Sequence, residues 1–201
     1  YKRQTYSEAL KTFVLWPLAA VLTIGILIPY AVYRQKRFIV AHSRYGTAPF
    51  EPHFGAGDFY GIFLRALGII VISMLLAAGL GAIFPLLAPL VVLPLYLLLF
   101  AYVSATTSNL TFNSSVLQCH GFKSRLKVGR LAWIYFSNAV VTALTLGLAA
   151  PWAKVRLANY HAGCLTLMAD GDLDSFVAAE EKNVSSLGEE IGDVFDMEIG
   201  L

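Results

Sequence analysis

ALGIIVISMLLAAGLGAIFPLLAPLVVLPLYLLLFAYV, residues 66–103, decides the fold class. It carries no Lys, Arg, Asp or Glu over its whole length. A membrane-spanning helix needs about 20 apolar residues, because the hydrocarbon core is about 30 Å thick and a helix rises about 1.5 Å per residue. This stretch is about twice that long. It predicts two helices, about 64–84 and 86–106, with a tight turn where Gly79, Gly81 and Pro85 sit.

Two shorter uncharged blocks flank it. Thr12–Tyr33 lies between Lys11 and Arg34, and Leu131–Ala153 lies between Arg130 and Lys154. Each fits one span, about 12–33 and 131–153, giving four transmembrane helices. Composition agrees: 57% of residues are hydrophobic and 14% are charged, where soluble domains carry about 25% charge. That excludes a water-facing globule, and the apolar content excludes disorder for most of the chain. Two cysteines exclude a disulfide framework. The expected class is an all-α polytopic membrane protein with short extramembrane β-hairpins and an acidic C-terminal tail.

The net charge of +2 hides an asymmetry. Residues 1–169, the transmembrane domain, hold 14 Lys/Arg against 3 Asp/Glu, whereas the tail, 170–201, holds one Lys against 10 acids. The first apolar block is too long for a signal peptide and lacks a small-residue cleavage site. The chain begins at Tyr1 rather than Met, so residues are expected before it.

Trp133 and Trp152 bracket the fourth predicted helix, 19 residues or about 28 Å apart. That spacing suits interfacial anchors on opposite faces of a bilayer; the alternative is a Trp packed inside the bundle. Arg34, Lys36, Arg37 and Arg44 follow helix one, and Lys123, Arg125, Lys127 and Arg130 precede helix four. With four spans both clusters lie on one face, cytoplasmic by the positive-inside rule, and the N-terminus and tail lie outside. Lys2, Arg3, Lys11, Lys154 and Arg156 then sit on the wrong side. Re-entrant first and fourth segments, broken at Gly25–Pro29 and Gly147–Pro151, would put every cation inside. The Trp spacing favours full spans.

Those two segments match at an offset of 122. Leu22-Thr23-x-Gly25-x3-Pro29-Tyr30-Ala31-x2-Arg34-x3-Phe38 aligns with Leu144-Thr145-x-Gly147-x3-Pro151-Trp152-Ala153-x2-Arg156-x3-Tyr160. A generic helix exit explains each residue singly: Gly for close approach, Pro for the break, an aromatic and an Arg at the interface. It does not explain the shared register, which points to an internal repeat. A weaker echo pairs Phe50-x3-Phe54-x2-Gly57 with Phe122-x3-Leu126-x2-Gly129. Alternation over about 109–128 predicts a β-hairpin turning near His120-Gly121. A second is expected from Cys164–Met168 and Leu173–Phe176 around Asp170-Gly171, and the two are expected to pair into a small sheet.

Asn138-x3-Thr142-x2-Thr145-Leu146-Gly147-x3-Pro151-Trp152-Ala153-Lys154 resembles the signature helix of the YjgN-like bacterial inner-membrane proteins. The Asp170-Gly171-Asp172-Leu173 segment and the Pro29-Tyr30…Lys36-Arg37-Phe38 exit of helix one fit the same pattern, over most of residues 12–176. The resemblance implies a multi-pass protein of the bacterial inner membrane built from repeated modules. It carries no assigned biochemical function, and no catalytic residue is transferred. The chain departs from the pattern where Trp16 stands in the place of Asn138 and Ala20 in that of Thr142. The acidic stretch from Ala178 onward is outside it.

The residues offer little chemistry. His42, His53, His120 and His161 are isolated, Cys119-His120 are neighbours expected on opposite strand faces, and no metal-ligand spacing appears. Gly55-Ala-Gly57-Asp58 lacks the Lys-Ser/Thr of a phosphate loop, and no nucleophile elbow is present. Apart from Arg65 at the start of the second, no charged residue falls within the four predicted helices, which argues against a proton-coupled transporter. Asn138, Thr142 and Thr145 share one helix face, suited to bonding a neighbouring helix or to lining a ligand path. Arg34, Lys36, Arg37 and Arg44 suit lipid headgroups, so no nucleic acid is required. In the tail, Leu187, Ile191, Val194 and Phe195 fall at helical spacing among acids. Asn109, Asn113 and Asn183 head glycosylation sequons by pattern only.

The expected function is a non-catalytic accessory or scaffold subunit bound to a larger membrane complex, with no cofactor and no metal. Its expected partners are membrane lipids and a membrane protein. The alternative is a small repeat-built transporter or lipid-handling protein; a membrane enzyme ranks below both. The candidate packing or ligand-lining motif is Asn138, Thr142, Thr145, Gly147, Pro151 and Trp152, with Thr23, Gly25, Pro29 and Tyr30 in the other copy.

Overall fold

The computed structural model describes residues 2–83 and 88–182. The turn expected at Pro85, the sequon at Asn183 and the helical pattern at Leu187–Phe195 lie outside the described residues.

Two long helices form the spine. α4 (Ala56–Ile83) and α5 (Ala88–Asn113) pack against each other. They include Ala56–Gly79 and Pro94–Asn113, each long and apolar enough to cross a membrane. This pair is the reading of residues 66–103, with α5 running seven residues beyond the expected end. Within the extension Thr106, Thr107 and Thr111 turn their hydroxyls back onto carbonyls four residues earlier, at 2.6, 2.6 and 2.8 Å. Such back-bonding satisfies the hydroxyls without stabilising the helix, which is held by the tertiary bonds of Asn109 and Asn113.

Residues 12–33 and 131–153 are not single spanning helices, and this corrects the expectation of four straight spans. Each block folds back on itself as a helical hairpin. In the first, α1 (Lys2–Leu10), a π-helical turn (Lys11–Leu15) and α2 (Trp16–Leu22) run one way and α3 (Ile28–His42) runs back. Phe13 meets Phe38 edge-on at 5.6 Å, Trp16 meets Tyr30 at 4.6 Å, and Glu8 lies 3.9 Å from Arg34. The π-helical turn sits just before Pro17, whose missing N–H disrupts the regular ladder there. In the second hairpin, α6 (Val128–Leu144) is followed by α7 (Ala150–Gly163). The Lys127 N–H donates to the Tyr160 hydroxyl at 3.0 Å, which ties the two far ends together. Both segments reverse for the same reason. Gly25 and Gly147 take φ +88° and +93°, a region that Cβ-bearing residues avoid, and Pro29 and Pro151 then start the returning helix. Trp133 and Trp152 therefore stand on antiparallel arms rather than at the two ends of one span.

The segments between helices assemble one sheet. Its five antiparallel strands run in chain order: β1 (Arg44–Tyr45), β2 (Ala48–Pro52), β3 (Ser115–Leu117), β4 (His120–Ser124) and β5 (Leu165–Met168). The β3–β4 hairpin turns at Gln118-Cys119, two residues before the expected place, with Gln118 at φ +54°. β4 pairs with β5, so the first expected hairpin meets one strand of the second, whose other strand does not form. β1 and β2 were not expected as strands. The Phe50 and Phe122 rings of the echoed motif lie 5.7 Å apart.

Asn109 and Asn113, one turn apart on α5, clamp the strand that leaves the sheet. The Asn109 amide donates to the Leu126 carbonyl (3.0 Å) and accepts from the Leu126 N–H (2.9 Å); Asn113 does the same to Ser124. Below this clamp Ala101, Ala105, Leu126 and Leu131 form one core cluster, and Tyr33, Phe54 and Phe59 form the other.

Leu173–Phe176 was expected as a strand, but residues 173–182 are helical. Gly171 turns the chain at φ +95°, and the Asp172 carboxylate accepts the Asp174 N–H at 3.1 Å, as an N-cap does. This helix docks on the sheet. Phe176 packs 4.9 Å from His120 and 6.0 Å from Tyr45. Glu180 is buried and accepts from the Thr47 N–H (2.7 Å) and hydroxyl (2.8 Å).

Candidate functional site

The residues singled out in the sequence gather at the tips of the two hairpins. Thr23 and Thr145 start the same turn. The Thr23 hydroxyl donates to the Ala19 carbonyl (2.8 Å) and accepts the Leu27 N–H (3.4 Å); the Thr145 hydroxyl donates to Val141 (2.8 Å) and accepts the Ala149 N–H (3.1 Å). The Gly25 N–H donates to Ala20 and the Gly147 N–H to Thr142, both at 2.8 Å. Thr142 thus serves through its carbonyl. From Thr23 to Ile28 and from Thr145 to Ala150, every N–H donates to an oxygen of its own hairpin. The next residue in each is proline, which has no N–H to satisfy.

The tips are also apolar and bare. Ile24 and Leu146 are 95% and 94% exposed, and Leu22, Ile26, Leu144 and Leu148 are exposed beside them. Ile24 and Leu146 adopt φ +53° and +50°. The left-handed region costs a residue with Cβ roughly 1–2 kcal/mol, and a β-branched residue there is an outlier. No contact within the protein offsets that cost, because these side chains touch almost nothing.

Behind the tips the hairpins differ. In the second, the Arg156 guanidinium donates to the Ser137 hydroxyl (2.7 Å) and the Asn138 carbonyl oxygen (2.9 Å), and the Asn138 amide donates to the Ala153 carbonyl (3.2 Å). Trp152 lies under the same guanidinium at 5.3 Å. In the first, the Trp16–Tyr30 pair takes the place of Asn138 and Trp152. Arg34, the counterpart of Arg156, turns to Glu8 instead. Arg156 was missed as part of this group: read on a straight helix it falls beyond the span. The fold-back carries it to the middle of α6, about 9 Å along α7 from the tip. Its shared register with Arg34 was the available signal.

The four residues expected at lipid headgroups have different neighbours within the protein. Arg34 faces Glu8, Arg37 donates to the Tyr33 hydroxyl, and Arg44 lies on β1 opposite Pro49. Lys36 lines a cavity of about 330 Å³ between α3, α5 and the sheet, with Ile39, Phe50, Ser108 and Phe122 among its walls. Elsewhere, Asp58 accepts the Gly55 N–H at 2.8 Å, so that segment closes a turn into α4. Buried His120 accepts the Asp170 N–H at 3.2 Å. Among the described residues no three His, Cys, Asp or Glu side chains converge as metal ligands would.

The described architecture is thus a two-helix spine flanked by two Gly-Pro hairpins under one sheet. The family of bacterial proteins of unknown function DUF898 matches residues 2–194. The chain belongs to that family. No curated protein and no solved structure matches it.

Proposed function

We propose that this member of the DUF898 family is a non-catalytic, multi-pass protein of the bacterial inner membrane. In this reading it crosses the bilayer twice, through α4 and α5, and dips two re-entrant hairpins in from the side of the sheet. The tips carry the proposal. Irregular backbone is kept out of hydrocarbon by its unpaired donors, and six successive N–H groups in each turn are already paired. Burying an Ile or Leu side chain gains about 1.5–3 kcal/mol, which offsets a left-handed strain of roughly 1–2 kcal/mol. In water the same tip bears the strain for nothing.

Charge supports the orientation. With re-entrant hairpins, all 15 Lys and Arg fall on the sheet side of the hairpin tips. The positive-inside rule then makes the sheet side cytoplasmic. The shared bonds and dihedrals of the two turns support duplication of one unit.

The working role in this reading is an accessory or scaffold subunit. Sheet and docked helix form one platform on one face, available to a membrane-protein partner, while lipids surround the rest. Gentle extraction followed by mass spectrometry of what stays bound tests it. A stoichiometric protein partner, lost on deletion of residues 170–201, is the expected result; a protein always alone contradicts it. The second reading, a lipid-handling protein or small transporter, is favoured by the matched, interrupted hairpins, a common transporter device.

A further inference from the structure

We infer that the molecule is a wedge that bends the bilayer, its described helices crowding the sheet-side leaflet far more than the opposite one. This rests on the re-entrant placement proposed above. The argument is one of lengths measured from a common base. Single residues, Ser43 and Cys164, join α3 to β1 and α7 to β5, and Ser114 joins α5 to β3. Three residues join β2 to α4 and three join β4 to α6. All these helices therefore start close to the sheet.

Their reach differs by a factor of two. α3, α6 and α7 have 15, 17 and 14 residues, or about 22, 25 and 21 Å. α4 and α5 have 28 and 26 residues, or about 42 and 39 Å. The hairpin tips end about halfway along the spine, and half of the hydrocarbon core is about 15 Å. Among the described residues, α2, α3, α4, α5, α6 and α7 thus occupy the sheet-side leaflet, and α4 and α5 alone continue into the other.

The extra arms are braced against collapse. Tyr33 of α3 packs on Phe59 of α4 at 5.9 Å, and Leu131 of α6 is fully buried against Ala101 and Ala105 of α5. One hairpin leans on each spine helix. Each arm of a hairpin is cross-tied to the other, by Trp16–Tyr30 in one and by Arg156 with Ser137 and Asn138 in the other. A rigid body about 10–12 Å wide per helix, inserted in one leaflet only, is relieved when that leaflet lies on the convex side. Amphipathic helices that enter one leaflet by about 5–10 Å are curvature-sensitive for the same reason.

The test is reconstitution of the full chain into vesicles of phosphatidylethanolamine and phosphatidylglycerol at rising protein-to-lipid ratio, with diameters read by cryo-electron microscopy. Mean diameter is expected to fall as the ratio rises, with Cys119 of the sheet reached from outside in the narrowest vesicles. The double variant Ile24→Asp, Leu146→Asp tolerates the left-handed turn better than the native residues and removes no internal contact. It is expected to keep its circular dichroism and melting in detergent yet leave vesicles at their protein-free diameter. Wild-type diameters that do not respond to protein density overturn the wedge. A separate readout guards the premise: Ile24→Cys and Leu146→Cys, with Cys119 and Cys164 changed to Ser, are treated with a membrane-impermeant maleimide. Unlabelled tips with unchanged diameters overturn the wedge and leave the re-entrant placement standing. Labelled tips overturn both.

Discussion

Gly147 shows how much one residue decides. Its φ of +93° makes the turn, yet nothing lies within 4 Å of where a Cβ would stand. Gly147→Leu is therefore expected to cost about 1–2 kcal/mol of left-handed strain without disrupting packing. Gly25→Leu should cost more, because the Ile28 side chain sits 3.3 Å from the added Cβ. Thermal unfolding of both variants in one detergent checks the order, and equal losses would contradict it. Asn138→Ala removes a bond to the Ala153 carbonyl and an acceptor of Arg156. Hydrogen bonds between membrane helices are worth about 1 kcal/mol each, so a loss of about 1–2 kcal/mol is expected in the same assay. Thr23, Gly25, Pro29 and their counterparts were legible as a shared register. Their geometry was not, because Gly-x3-Pro reads equally well as the exit of a straight helix. Arg156 stayed hidden for that reason.

At the level of elements, local preference lost to tertiary contact in two places. The Thr- and Asn-rich end of α5 alternates like a strand, but Asn109 and Asn113 bond the passing backbone from a helix. Leu173–Phe176 reads as a strand after a Gly turn, but Asp172 caps a helix there. Strands of two to five residues carry too little pattern to be seen without their partners. The docked helix has a titratable latch. Its bonds from the Thr47 N–H and hydroxyl hold the Glu180 carboxyl below its ordinary pKa. A group lowered in the folded state stabilises fully above its unfolded pKa, and that contribution disappears as pH falls through the folded value. Protection factors over residues 173–182, which remove the pH dependence of intrinsic amide exchange, should therefore be high at neutral pH and fall only as pH drops through and below the ordinary carboxylate range. In Glu180→Ala they should be low at every pH; protection unchanged by that substitution would remove the latch from the account.

For the whole molecule, the long apolar stretch 66–103 was legible because its length fits two helices long and apolar enough to cross a membrane. The flanking blocks were ambiguous because a charge-free run of this size suits one span or one folded hairpin, and only contacts between arms distinguish them. The two topologies separate the chain differently. Four spans put the N-terminus and the docked helix across the membrane from the β3–β4 turn, whereas two spans with re-entrant hairpins put all three together. Cys119 already sits in that turn, exposed, with its thiol 3.3 Å from the Asp170 carbonyl. The direct measurement uses sealed membrane vesicles of known orientation and single-cysteine chains bearing Cys119, Ser7→Cys or Glu181→Cys. A membrane-impermeant maleimide should reach all three from the same face. Cys119 labelled from one face and positions 7 and 181 from the other would contradict the re-entrant architecture.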